Sequence, residues 1–301
     1  MRTSSVMSTM IGIALCDLVS MIAVISMRGM IENMAVKECT PPNTFLATQT
    51  YRVLQAVRDN AIRCSTWLSV SLAVFRYLMI KLASKPTDYN KIFKFVFGFQ
   101  VFAIVFVIST LLSIAYFLRG RTMQVGEWEP AEHCADQTVG VQPIYDNLVS
   151  DLFTLNNGLV LRIFMFVNGT SAKIFPCLIL PILSIFIIVA FRKAQNIRRL
   201  SNCFLNDDHS SERTTGLVIF MSVSFFLALL PTGIMTCFCS VYTDVGFLFM
   251  GSFIEHICYA LLTLNAAFHC LFCFTMSSQY RNSVWELFRP VKVRVLVRAI
   301  R

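Results

Sequence analysis

Apolar residues along this chain rarely recur at the spacing of an amphipathic helix. They run on instead, in stretches of twenty or more broken by polar intervals. A bilayer crossing needs about 20 mostly apolar residues. Six stretches qualify, at about 6–29, 45–80, 92–118, 171–191, 215–239 and 246–276. The pattern predicts an all-α membrane protein, not a barrel, whose ~10-residue strands would alternate. The second stretch is the least apolar and carries Arg52, Arg58, Asp59 and Arg63. A long insertion at 119–155, rich in acidic and aromatic residues, separates the third from the fourth. The chain thus divides into one membrane domain, 1–288, and a basic tail, 289–301. Within the domain, 277–288 can place Tyr280, Val284, Leu287 and Phe288 on one helical face, flanked by Arg281 and Arg289. That suits a helix lying on the membrane surface.

Composition sharpens the picture. Hydrophobic residues make up 56% of the 301 and charged ones only 14%, against roughly 25% in ordinary globular proteins. The charges are also sorted. One set of loops holds Lys81, Lys85, Lys91, Lys94, Arg192, Lys193, Arg198, Arg199 and Arg213, with the tail arginines. The other holds Glu32, Glu38, Glu127, Glu129, Glu132, Asp136, Asp146, Asp151 and Asp244. Basic short loops face the cytoplasm, which predicts a multi-pass membrane protein with both termini of this chain inside. The net charge of +9 then reads as attraction to anionic lipid, not to nucleic acid. A cleaved signal peptide over 1–27 is disfavoured, because Asp17 interrupts an apolar run already too long for one.

Most of the 11 cysteines lie inside apolar stretches, where Cys acts as a small hydrophobe. Cys39 and Cys134 fall in loops on the outer, oxidising side, where a disulfide persists. That predicts a Cys39–Cys134 bridge, with free thiols or pairing to Cys237 or Cys239 as alternatives. The four histidines, His133, His209, His256 and His269, have no metal-ligand spacing. No activated nucleophile stands out, so no catalytic residue or enzymatic activity is expected. A channel or transporter is the competing class. Arg52, Arg58 and Arg63 lack voltage-sensor spacing, and no filter loop or paired broken helices appear.

Arg76 closes the second stretch in "WLSVSLAVFRYLMIK". A guanidinium there either snorkels to the headgroups or works at the mouth of a bundle. The run Phe75–Arg76–Tyr77 resembles the acid–Arg–Tyr motif ending the third helix of rhodopsin-like G-protein-coupled receptors, with Phe75 replacing the acid. "IALCDL" with Asp17 resembles their second helix, and "SFFLALLP", with Phe225 six residues before Pro231, their sixth. Leu229 stands at the usual tryptophan. "NAAFHCLFC" followed by "MSSQYR" resembles the seventh helix and the surface helix after it. Together "RTSSVMSTMIGIALCDL", "CSTWLSV", "RTTGLVIFMSVSFF" and "HCLFCFTMSSQYR" resemble the nematode serpentine chemoreceptors of class W, a class similar to FMRFamide-type peptide receptors.

The resemblance implies a rhodopsin-like seven-helix bundle of which six spans are present, so the first helix and outer tail are expected to be missing, by truncation or fragmentation. It implies a receptor carrying the signal of a small chemical cue or short peptide to a heterotrimeric G protein. Residue by residue, it implies a polar network of Asp17, Ser65 and Asn265, either water-bridged or holding a sodium ion, with no other metal. It places a ligand pocket at the level of Arg58, Asp59, Arg63, Glu255 and Tyr259, with Gln55 and Ile62 as weaker members. Charges of both signs there would suit a zwitterionic or amidated peptide. The alternative is that Asp59 and Arg63, spaced i,i+4, satisfy each other. Arg76, Tyr77, Phe225 and Pro231 would form the coupling switch, with Glu212 placed to pair with Arg76 and the missing acid raising basal signalling. Asn168-Gly169-Thr170 is a glycosylation sequon, expected on the outer side.

Overall fold

A helix that carries Arg52, Arg58, Asp59 and Arg63 along its first half cannot present them all to lipid, so other elements must enclose it. In the computed structural model that helix is at the centre. The structure describes residues 5–32, 39–82, 95–131, 133–134, 140–200, 208–242 and 244–276. The anticipated surface helix at 277–288 and the tail lie outside the described residues. Helices α1 (Ser5–Glu32), α2 (Phe45–Leu82) and α3 (Phe95–Arg119) correspond closely to the first three apolar stretches. At 38 residues α2 is about 57 Å long, more than a bilayer's hydrocarbon core requires.

The long insertion is a β-hairpin, an addition to the all-α expectation. Strands β1 (Gly120–Trp128) and β2 (Gln142–Val149) pair antiparallel, Gly120 opposite Val149 and Trp128 opposite Gln142, with a bulge between Gln124 and Gly126. Three ties hold the hairpin to the bundle. Arg52 of α2 donates to the carbonyls of Phe117 (2.8 Å) and Gly120 and to Thr122 Oγ1 (3.1 Å). Phe45 packs edge-on against Tyr145, centroids 5.4 Å apart. Cys39 and Cys134 are disulfide-bonded, and Cys237 and Cys239, the alternative partners, are free.

The fourth stretch, expected at 171–191, is far longer. Helix α4 (Asp151–Gly169) breaks at Leu155–Gly158, where Asn156, Asn157 and Gly158 are left-handed at φ 53°, 55° and 75°. Asn and Gly are the residues that enter that region most readily. A π-helical turn (Thr170–Ile174) then leads into α5 (Phe175–Leu200). The correction has a simple reason. "LVLRIFMFV" at 159–167 is as apolar as the α5 segment beyond it, and Asn168-Gly169-Thr170 does not stop a helix whose flanks are both in the bundle. Helices α6 (Asp208–Phe238) and α7 (Val245–Met276) follow, and three of the described segments, Ser8–Arg28, Val96–Arg119 and Asp151–Lys193, are long and apolar enough to cross a membrane.

The core runs along α2. Ala61, Cys64, Leu68, Leu72 and Ala73 are buried there, with Ile13 of α1, Leu180 and Ile187 of α5 and Phe225 of α6. By contrast α3 turns Phe99, Ile104, Val107, Ile108, Leu111 and Leu118 outward, the surface a lipid environment takes up. At Gly98 its inner face is small, which lets backbones approach. A Cβ on Gly98 would lie 2.5 Å from the Ser5 carbonyl oxygen and 2.9 Å from its Cα.

Gly98→Val is therefore expected to force α1 and α3 apart, at a cost of roughly 1–3 kcal/mol. Gly140→Val meets nothing within 4 Å and should leave stability unchanged. Thermal unfolding of the two purified variants in one detergent tests the contrast.

Candidate functional site

Toward the hairpin end of the bundle lies a cavity of about 240 Å³. Helical phase explains its walls. Asp59, Ile62 and Arg63 are spaced i, i+3, i+4 on α2 and so share a face. Tyr116 and Arg119 do the same at the end of α3, and Glu255 and Tyr259 on α7. Leu229, Thr232 and Thr236 enter from α6. There Pro231 removes a helix hydrogen bond, and Thr232 Oγ1 donates to the carbonyls of Ala228 (3.1 Å) and Leu229 (2.9 Å). Met165, Asn168, Ala172 and Lys173 come from α4 and the π turn. The turn sits tightly on α6, because Gly233 has no Cβ. One added there would lie 2.8 Å from Ile174 Cγ1 and 3.0 Å from Lys173 Cβ.

The polar groups pair differently from the i,i+4 expectation. Asp59 does not bond Arg63. Its Oδ1 accepts from Arg58 Nε (3.0 Å) and Nη2 (2.9 Å), and from the Tyr259 hydroxyl at 3.4 Å. The Arg58 guanidinium also stacks 4.0 Å over the Tyr259 ring. Arg58 therefore supports the wall from behind and does not line the cavity. Arg63, buried, spans three elements. Its Nη1 donates to the Ser109 carbonyl (3.0 Å) and Ser113 Oγ (3.1 Å), its Nη2 to Asn168 Oδ1 (3.3 Å). Lys173 Nζ donates to Thr236 Oγ1 at 3.0 Å and lies 3.8 Å from Glu255 Oε1.

Asn168 corrects the sequon expectation. It is only 6% exposed, and its amide oxygen is engaged by Arg63 inside the bundle. A side chain so placed cannot carry a glycan in the folded protein. The sequence pattern was met, but the helix continues through it and turns the asparagine inward.

A second chamber of about 410 Å³ adjoins the first and shares Tyr116, Arg119, Met165 and Cys239 with it. Arg52, Gln55, Arg162 and the strand residues Asn147–Val149 line the rest. Elsewhere in the bundle Ser65 Oγ donates to Asp17 Oδ1 at 2.7 Å, linking α2 to α1. Asn265 is buried on α7, with no hydrogen-bond partner for its Oδ1. A carboxylate, a hydroxyl and an amide oxygen are the donors a hard cation accepts, although Leu229 and Ala266, both buried, contribute only carbon side chains. At the opposite end of α2, Phe75 is buried against Phe97 of α3 (centroids 5.8 Å), and Tyr77 meets Phe186 of α5 (6.1 Å). Arg76 lies between them, partly buried. Phe225 is buried on α6, its carbonyl accepting from the Cys177 thiol at 3.4 Å. The Glu212 side chain lies outside the described residues.

The profile of the family described as serpentine-type 7TM GPCR chemoreceptor Srw matches residues 1–290. The chain belongs to the Srw family. No individual curated protein matches it. An Srw chain is a receptor of the GPCR chemoreceptor class and not an enzyme, and its apolar helices are those of a multi-pass membrane protein. Of the residues singled out from sequence, Asp59, Arg63, Glu255 and Tyr259 come together on this Srw cavity, while Arg58 stands behind it. Tyr116, Arg119 and Lys173 were missed, and Asn168 was read only as a sequon. A signal for two of them was present: Arg119 ends an apolar run and Lys173 begins one.

Asn168→Ala in protein from eukaryotic cells is expected to leave gel mobility unchanged, with and without glycosidase. The same variant removes an acceptor from a buried guanidinium and should lower stability by about 1–3 kcal/mol, read as an earlier thermal unfolding midpoint.

Proposed function

We propose that this Srw receptor binds a small chemical cue or short peptide in the hairpin-end cavity and signals to a heterotrimeric G protein from the Arg76 end of α2. The observation that carries this reading is that one helix bears both ends. Asp59 and Arg63 line the cavity, and Arg76 lies 17 residues beyond Asp59, about 25 Å along the same axis. In this reading the hairpin faces outward and both ends of the chain face inward at the plasma membrane. The loop charges support that sidedness, since the acidic set is on the hairpin side.

The switch would run through α6. Leu229, Thr232 and Thr236 touch the cavity, Phe225 lies in the core one turn or more away, and Pro231 is the weak point of the helix between them. A ligand that draws the cavity walls together would swing the far end of α6 away from Arg76 and Tyr77. The Asp17, Ser65 and Asn265 oxygens would hold water or a sodium ion beside that pivot. The peptide-receptor likeness extends the ligand class to short neuropeptides.

Nucleotide exchange on a purified Gα subunit, with the receptor in proteoliposomes and a screened agonist, tests the proposal. Arg76→Ala is expected to lower agonist-stimulated exchange by at least about tenfold, the size of one charge-assisted contact, without changing agonist affinity. Ligand-dependent current in the absence of any exchange would favour a channel instead.

A further inference from the structure

Accepting the cavity as the ligand site, its charges tell what the ligand must bring. Three cationic side chains line it, Arg63, Arg119 and Lys173, against two carboxylates, Asp59 and Glu255. Both carboxylates are already committed. Asp59 is clamped by Arg58, whose Nε and Nη2 both reach Oδ1. Glu255 stands 3.8 Å from Lys173. That leaves Arg63 and Arg119, and neither has a carboxylate within ion-pairing distance among the described residues.

Their partners are neutral and in part poor. Arg63 bonds a carbonyl, a hydroxyl and an amide oxygen, and its Nε has no partner among the described residues. That nitrogen and Nη2 form the side edge of the guanidinium, the edge carboxylates grip with two parallel bonds. Only the 3.3 Å contact to Asn168 Oδ1 occupies it. Arg119 donates to the Met165 sulfur (2.9 Å), a weak acceptor, and to the Tyr116 hydroxyl (3.0 Å), stacking 4.3 Å over that ring. A buried cation such as Arg63, held only by neutral groups, is costly, and with the partly buried Arg119 on the same cavity a counter-charge is wanting. The adjoining chamber extends the bias, since Arg52 and Arg162 line it and no Asp or Glu does.

We propose that the ligand is an organic acid, whose carboxylate lies against Arg63 and Arg119 and takes the place of the Asn168 oxygen on the open guanidinium edge. This narrows the expectation of an amidated or zwitterionic ligand, which rested on the formal presence of both signs. About 240 Å³ holds a small acid outright, and the neighbouring 410 Å³ takes the remainder of a larger one.

The test needs no G protein, so it fails or succeeds independently of the coupling reading. The purified chain in nanodiscs is titrated with a panel of aryl- and alkyl-acetic acids, each alongside its primary amide and its amine. Affinity is measured by thermal shift and calorimetry. At least one acid is expected to bind about tenfold or more tightly than its amide, the usual margin of a charge-assisted pair. Arg63→Gln and Arg119→Gln should each pull that ratio toward one. A role in packing alone would lower stability and leave the ratio where it was. Amides or amines binding as well as the acids would overturn the proposal, as would no binding by any acid. So would a ratio that survives in both variants. Should Arg63→Gln fail to fold, Arg119→Gln carries the same readout.

Discussion

The charges on α2 govern how everything else is arranged. An apolar helix could settle against its neighbours in many registers, since lipid and leucine are equally agreeable surroundings. Four charged side chains remove that freedom, because each must be met by a polar group at its own depth. Arg52 finds the carbonyls where α3 turns into the hairpin. Arg58 finds Asp59 beside it and an aromatic face on α7. Arg63 finds α3 and the end of α4. In satisfying them the chain fixes the position of the hairpin, the depth of α4 and the rotation of α7.

Small residues complement these polar ties. Gly98 brings α3 onto α1, and Gly233 brings α6 onto the π turn, each at distances no side chain would permit. Serines on the inward faces then bridge at short range, Ser65 to Asp17 and Ser184 to Ser222 at 2.6 Å. Without a hydrophobic force between helices in lipid, close backbone approach and hydrogen bonds of this sort are what hold a bundle together. The hairpin adds other ties, a disulfide and an aromatic contact beside the Arg52 hydrogen bonds.

Much of this was legible in the residues. Runs of apolar side chains marked where the long helices lie, because a run of that length leaves the backbone little choice but a helix; the fourth begins well before its expected start. The disulfide followed from two cysteines standing outside those runs. What escaped was whatever depended on phase or pairing. The hairpin's strands, "GRTMQVGEW" and "QPIYDNLV", lack the clean alternation of a half-buried sheet, and only their mutual register makes them strands. Asp59 and Arg63 had the spacing of a pair, yet Arg58 reached Asp59 first. The inward turn of Asn168 and Lys173 needed a continuous helix through 168–175, which a local reading of the sequon cuts short.

That π turn has a meaning for how such receptors diversify. A π turn is an α-helix with one residue too many, and each residue carries about 100° of rotation. Losing one residue from 170–174 would leave α5 below it untouched, with its packing on α2, while everything above swung by more than a quarter circle. Arg162, now on the second chamber, and Asn168 would be dealt to new faces together. A single codon's gain or loss in this segment would thus redraw the cavity wall wholesale, with the core left intact, a coarser dial than point substitution.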